Sequence, residues 1–136
     1  MKFKKLIPYI IVFFISFFLT PIIITSFIRA ANKQATQYIE NFYPVTSELS
    51  DGLYTGKFKV FQIITFSKVE FTIENGMVKS IDFLKMYHSP GSPYKEEIEN
   101  QIKQSQSLEV DAITGATRTS NFAKAAIKNA VKKQSN

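Results

Sequence analysis

The chain has 136 residues, a formal net charge of +6 and no cysteine. That leaves room for one small domain and an appendage, and it excludes disulfides, c-type haem and iron-sulfur clusters held by thiolates. Three of the 17 basic residues, Lys2, Lys4 and Lys5, precede the first apolar run and all 11 acids follow it; the mild surplus that remains is scattered and lacks dense aromatic interleaving, which argues against nucleic acid as a partner.

From Leu6 to Ile28 no residue is charged, and Ile, Phe, Leu and Val dominate. A helix needs roughly 20 such residues to cross a bilayer core, so the run is long enough to span with some tilt. Lysines lie on its N-terminal side and only Arg29 on the other, which by the positive-inside rule puts the N-terminus in the cytoplasm and the body outside it. The apolar region of a cleavable signal is shorter, about 7 to 15 residues, and Arg29 interrupts the small-residue site at Ala30-Ala31. Residues 1–28 therefore read as an uncleaved, single-pass anchor. Pro8 suits the start of the helix, whereas Pro21 is expected to kink it or end its regular part. Residues 29–50 read as a partly helical linker, with Ala30, Ala31, Ala35, Ile39 and Phe42 near helical spacing and Pro44 as the stop.

The compact part, residues 51–136, opens with Asp51-Gly52. Tyr54, Phe58 and Val60 alternate as in a half-buried strand, with Gly56 as a bulge or point of close approach. A second strand carries Ile64 and Phe66, then changes phase to Val69, Phe71 and Ile73, which calls for a bulge near Ser67-Lys68. Asn75-Gly76 is a strong hairpin signal. The third strand, Val78 to Tyr87, has apolar residues at both parities, the pattern of a central strand covered on both sides. A loop at His88-Ser89-Pro90-Gly91 leads to a helix with Ser92 as cap, Pro93 first, Glu96 and Glu97 in the first turn, and Tyr94, Ile98 and Ile102 as its apolar stripe. Leu108-Glu109-Val110 is a short strand or extended lead-in. A last helix from Phe122 to Val131 has Thr119-Ser120-Asn121 as capping residues and buries Phe122, Ala126, Ala130, Ile127 and Val131. The expected fold is α+β: a small antiparallel sheet of about three to four strands packed with two helices, after one N-terminal transmembrane helix.

Chemistry concentrates in Asp111-Ala112-Ile113-Thr114-Gly115-Ala116-Thr117-Arg118-Thr119-Ser120. Thr117 follows two small residues, so a bulky group can reach its hydroxyl, and the start of the last helix offers amides and a positive dipole end to a phosphate. From the residues alone a second account stands beside this one: Gly115 makes a turn, Thr119 or Ser120 caps the helix, and the other hydroxyls face water. His88, with no cysteine and no second histidine, cannot build a zinc site; it reads as a surface histidine or as one beside the decapeptide's ligand. Glu96 and Glu97 are adjacent on a helix and point apart, so paired-carboxylate catalysis is not supported.

The decapeptide resembles the Asp-x-x-Ser/Thr-Gly-Ala-Thr motif of the FMN-binding domain family, which includes the flavin-bearing subunits of the Rnf and sodium-translocating NADH:quinone reductase complexes. Asp51-Gly52-Leu53-Tyr54-Thr55-Gly56 is similar to that family's opening, and Ile73 to Ile81 to its Asn-Gly hairpin. The chain departs from the family at Phe61-Gln62-Ile63-Ile64, where a glycine-rich loop is common, and at His88-Ser89-Pro90-Gly91, which lacks a Glu-Thr pair. The resemblance implies that a flavin transferase using FAD and magnesium joins FMN through its phosphate to Thr117, with Asp111 part of what that enzyme recognises. It also implies a cofactor-binding set of Asp111, Thr114, Gly115, Ala116, Thr119 and Ser120 around Thr117.

The expectation is thus a membrane-anchored, extracytoplasmic flavoprotein. It would relay electrons from a membrane donor, such as a quinol or a partner subunit, as a carrier and not a stand-alone enzyme. The alternative is an anchored interaction or sensory module of the same fold without covalent flavin; FMN held without a covalent bond is a third possibility.

Overall fold

The computed structural model describes residues 3–88 and 91–135. Lys2 of the N-terminal lysine cluster, and Ser89 and Pro90 of the loop expected after Tyr87, lie outside the described residues. The chain divides into two compact units, Met1–Ala31 and Asn32–Asn136.

Helix α1 runs Phe3–Ile39. It is the one helix among the described residues long and apolar enough to cross a membrane, and in the first unit its large apolar side chains from Leu6 to Ile24 are exposed. Pro21 does not end it, contrary to the expectation of a possible stop: both Pro8 and Pro21 lie inside the helix. A proline removes one backbone donor, here the partner of the Phe17 carbonyl, and helices of this apolar kind tolerate that loss. The helix closes before Pro44, because Asn41 adopts φ 58° and the Phe42 amide turns back to Ile39 O at 3.0 Å. Lys128, from the last helix, donates to the Tyr38 and Glu40 carbonyls at this end, where a cation suits the helix dipole. Burial, and then the nearby Lys132, hold the Lys128 ammonium below its usual pKa.

The second unit is built on an antiparallel sheet of β1 (Gly52–Val60), β2 (Ile64–Glu74) and β3 (Met77–Met86), in the order β1-β2-β3. β1 alternates as expected: Tyr54, Gly56, Phe58 and Val60 are buried. The phase change in β2 is a bulge, for Phe58 faces Ser67 while Lys59 faces Thr65, leaving Phe66 as the extra residue. Asn75 (φ 53°) and Gly76 (φ 70°) form the hairpin turn.

β3 is an edge strand, not the central one expected. Its register against β2 slips twice, between Thr72 and Ile73 and between Lys68 and Val69. Each slip changes which parity faces inward, so Val78, Ile81 and Phe83 share the core while Met77 and Leu84 stay half-exposed. Apolar residues at both parities thus report bulges, not cover on two sides.

Two helices complete the unit. α3 (Thr117–Gln134) crosses the inner face of the sheet, and a Cβ on Gly56 would lie 2.2 Å from Ala126 O and 2.4 Å from Ala130 N, which marks Gly56 as the point where β1 and α3 touch. α2 (Tyr94–Ser105) guards the free edge of β3. Glu99 accepts the Phe83 amide at 2.8 Å, and the Gln106 side chain accepts from Val78 N and donates to Val78 O, as a neighbouring strand would. Such cover blunts the tendency of an open edge to pair with other chains. Pro93, not Ser92, stands at the cap of α2; the Ser92 hydroxyl instead lies 3.0 Å from His88 Nδ1. Leu108 and Val110 form no strand but are buried, so they pin the lead-in to the Asp111 loop against the core.

Candidate functional site

The decapeptide folds as a tight turn that runs directly into α3. Ala116 N donates to Ile113 O at 2.8 Å, with Gly115 at the third turn position and φ +82°, a conformation that glycine adopts without steric cost. Helix α3 starts at Thr117, a turn and more before the expected Phe122, and its cap is Ala116, with no side-chain cap bond. Thr119 and Ser120 are therefore not capping residues but buried parts of the first turn. Ser120 Oγ receives the Ile113 amide at 3.3 Å and donates to Ala116 O at 3.2 Å, so it fastens the loop to the helix from behind.

This geometry leaves Thr117 at the first helical position and exposed. The first backbone bond of the helix runs from Ser120 N to Ala116 O, so the amides of Thr117, Arg118 and Thr119 precede the helical ladder and are available to an anion. Arg118, exposed, adds a cation at the same end. Gly115, Ala116, Thr117, Arg118 and Thr119 form one wall of a cleft of about 350 Å³, and Tyr87, His88 and Tyr94 form the other. Tyr87 is fixed by stacking on Phe66 at 4.9 Å and by an edge contact with Phe122 at 5.8 Å. The Tyr94 hydroxyl comes within 3.4 Å of the place a Cβ at Gly115 would take.

Of the expected site residues, the cleft gathers Gly115, Ala116, Thr117 and Thr119. Asp111 and Thr114 are exposed and are not in its lining, and Ser120 is buried behind it. Asp111 is not loose: Gln101 Nε2 of α2 donates to its Oδ2 at 3.1 Å. Gln101, Tyr87 and Tyr94 escape a reading by sequence, since nothing in the spacing of the chain ties them to the decapeptide. His88 belongs to the cleft wall as well as to the surface.

The donor set suits a phosphorylated aromatic ligand. Helix-start amides and Arg118 match a phosphate, the small pair Gly115-Ala116 leaves the Thr117 hydroxyl open, and two tyrosine rings offer flat apolar walls. Fold and cleft together define an α+β module whose cleft suits a phosphorylated aromatic ligand, following in sequence a helix long and apolar enough to cross a membrane. The FMN-binding domain family matches residues 66–132, and this match indicates FMN as the cofactor. A search of curated proteins gave no match.

Proposed function

We propose that the chain is a membrane-anchored, extracytoplasmic electron carrier that holds FMN as a phosphoester of Thr117. The observation that carries this reading is the exposed Thr117 hydroxyl at the first position of α3, on the rim of a cleft with two tyrosines. In the attachment step, catalysed by a flavin transferase with magnesium, Thr117 Oγ1 bonds to the FMN phosphorus of FAD. The pyrophosphate bond breaks, AMP leaves, and the hydroxyl proton passes to a base of the transferase or to water. When bound, FMN supplies reversible electron transfer at its isoalloxazine ring.

The chain's own residues then have separate tasks. The amides of Thr117, Arg118 and Thr119, with the Arg118 guanidinium, neutralise the phosphodiester. Tyr87 and Tyr94 shield one side of the cleft from water, and Gln101 holds Asp111 at the edge of the loop, where the transferase meets its target. Donor and acceptor are then a membrane reductant, such as a quinol or a partner subunit, and an acceptor outside the cytoplasm. A tether makes sense there, because a freely bound cofactor lost outside the cell is not recovered.

The test is flavin fluorescence in a denaturing gel, with the chain made alongside a flavin transferase and FAD. Wild type and Thr114→Ala retain a fluorescent band and Thr117→Ala loses it. A fluorescent Thr117→Ala band, or a dark wild-type band, contradicts the proposal; the dark band is what an anchored interaction module without covalent flavin gives.

A further inference from the structure

The turn joining β1 to β2 is not part of the flavin cleft's lining, although Ile64 shares a neighbouring groove with Tyr87 and His88, and its composition is not one the fold requires. Phe61 and Gln62 both take left-handed backbone angles, φ 50° and 62°, although neither is a glycine and each such residue is strained by about 1–2 kcal/mol. Next to them Ile63 is 79 % exposed and Ile64 45 % exposed. Behind this apolar tip the register sets Lys57 of β1 directly opposite Lys68 of β2, and Lys68 directly opposite Lys85 of β3. All three are exposed, and among the described residues none forms an ion pair. Like charges placed directly across a sheet repel; Glu70, two residues along the same face of β2, forms no ion pair with them, so the row keeps a positive surplus that an external anion would relieve.

Two hydrogen bonds tie the β1–β2 turn and α3 to the residues that open the second unit. Gln34 Oε1 accepts the Phe61 amide at 3.1 Å, and Asn121 Nδ2 donates to Asn32 Oδ1 at 3.0 Å. Asn32 and Gln34 follow Ile28, the last residue of the uncharged run, by four and six positions. Six residues reach at most roughly 20 Å even when fully extended. Ile63 and Ile64 follow, by two and three residues, a backbone amide held by a side chain that close in sequence to the end of the membrane run.

We propose that the β1–β2 tip and the Lys57-Lys68-Lys85 row form a second membrane contact, which seats the domain on anionic phospholipid. Ile63 and Ile64 enter the boundary between headgroups and acyl chains, and the lysines, with their stems along the sheet, meet the phosphates, as in other surfaces that pair an apolar wedge with basic flanks. The proposal rests on the membrane-anchored part of the function proposed above and not on the flavin. A second copy of the chain is a poorer match, because it would bring the same uncompensated lysines to the contact.

The test uses the full chain, which has no native cysteine, reconstituted in vesicles of phosphatidylglycerol and phosphatidylcholine. Single cysteines at Ile63→Cys, Asn75→Cys and Ile15→Cys carry a small fluorophore. Spin-labelled lipids should quench the probe at 63 and the anchor probe at 15, but not the probe at 75, on the opposite hairpin. Pure phosphatidylcholine, raised salt, or Lys57→Gln with Lys68→Gln and Lys85→Gln should each cut quenching at 63 by about twofold or more while leaving position 15 unchanged. Circular dichroism confirms that the variants are folded. If position 15 is quenched and 63 behaves like 75, the anchor stands and the lipid contact is overturned. If 63 is shielded from aqueous iodide yet untouched by lipid quencher, a protein covers the tip and the proposal is equally overturned. Should neither 15 nor 63 be quenched, the membrane anchor fails and takes the proposal with it.

Discussion

At the scale of single residues, Thr117 owes its accessibility to what precedes it, and Ser120 supplies the rigidity. The openness of Thr117 is legible in the sequence, because Gly115-Ala116 can screen nothing. The part played by Ser120 is not: serine after a loop reads by type as a helix cap, whereas in the fold Ala116 takes the cap and the serine hydroxyl turns back to Ile113 N and Ala116 O. Ser120→Ala should leave the Ile113 amide without its partner. The cost is on the order of 1–3 kcal/mol of stability, visible as a lowered urea midpoint, and flavin incorporation should fall with it. Unchanged stability and full incorporation would mean that the loop holds its shape without this bond. Tyr94 and Gln101 illustrate a different blindness: both meet the decapeptide only through the docking of α2, a tertiary event to which no local pattern points.

At the scale of elements, hydrophobic periodicity matches the structure where strands are regular and departs from it where they bulge. β1 and the Asn75-Gly76 hairpin follow their patterns directly. β3 presents apolar residues at both parities, the mark of a doubly covered strand, yet two register slips against β2 produce that same pattern in an edge strand. Gly56 is legible in the sequence as a point of close approach, although its partner is not. A methyl group there would stand far inside contact distance of the α3 backbone at Ala126 and Ala130, so Gly56→Ala should force β1 and α3 apart and cost about 3 kcal/mol or more. Thermal unfolding of the purified protein in detergent is the check. A change below about 0.5 kcal/mol, typical of surface substitutions, would show that the helix can shift freely over the sheet.

At the scale of the whole molecule, an apolar helix, a short polar stretch and a flavin-binding domain follow one another along a chain with little to spare. The uncharged run and the order of strands, helix, loop and helix are written plainly in the sequence, because membrane thickness and hydrophobic alternation leave few other readings. The basic row across the sheet is not, since Lys57, Lys68 and Lys85 become neighbours only once the register is known. What joins these scales is the use of one threonine as the handle for the cofactor. Intact-mass analysis of the full chain, produced with a flavin transferase and FAD, tests that use most directly. A mass increased by one FMN less one water, carried by the peptide that contains Thr117, is the predicted result; a mass equal to that of the bare polypeptide, or an adduct on another residue, would contradict it.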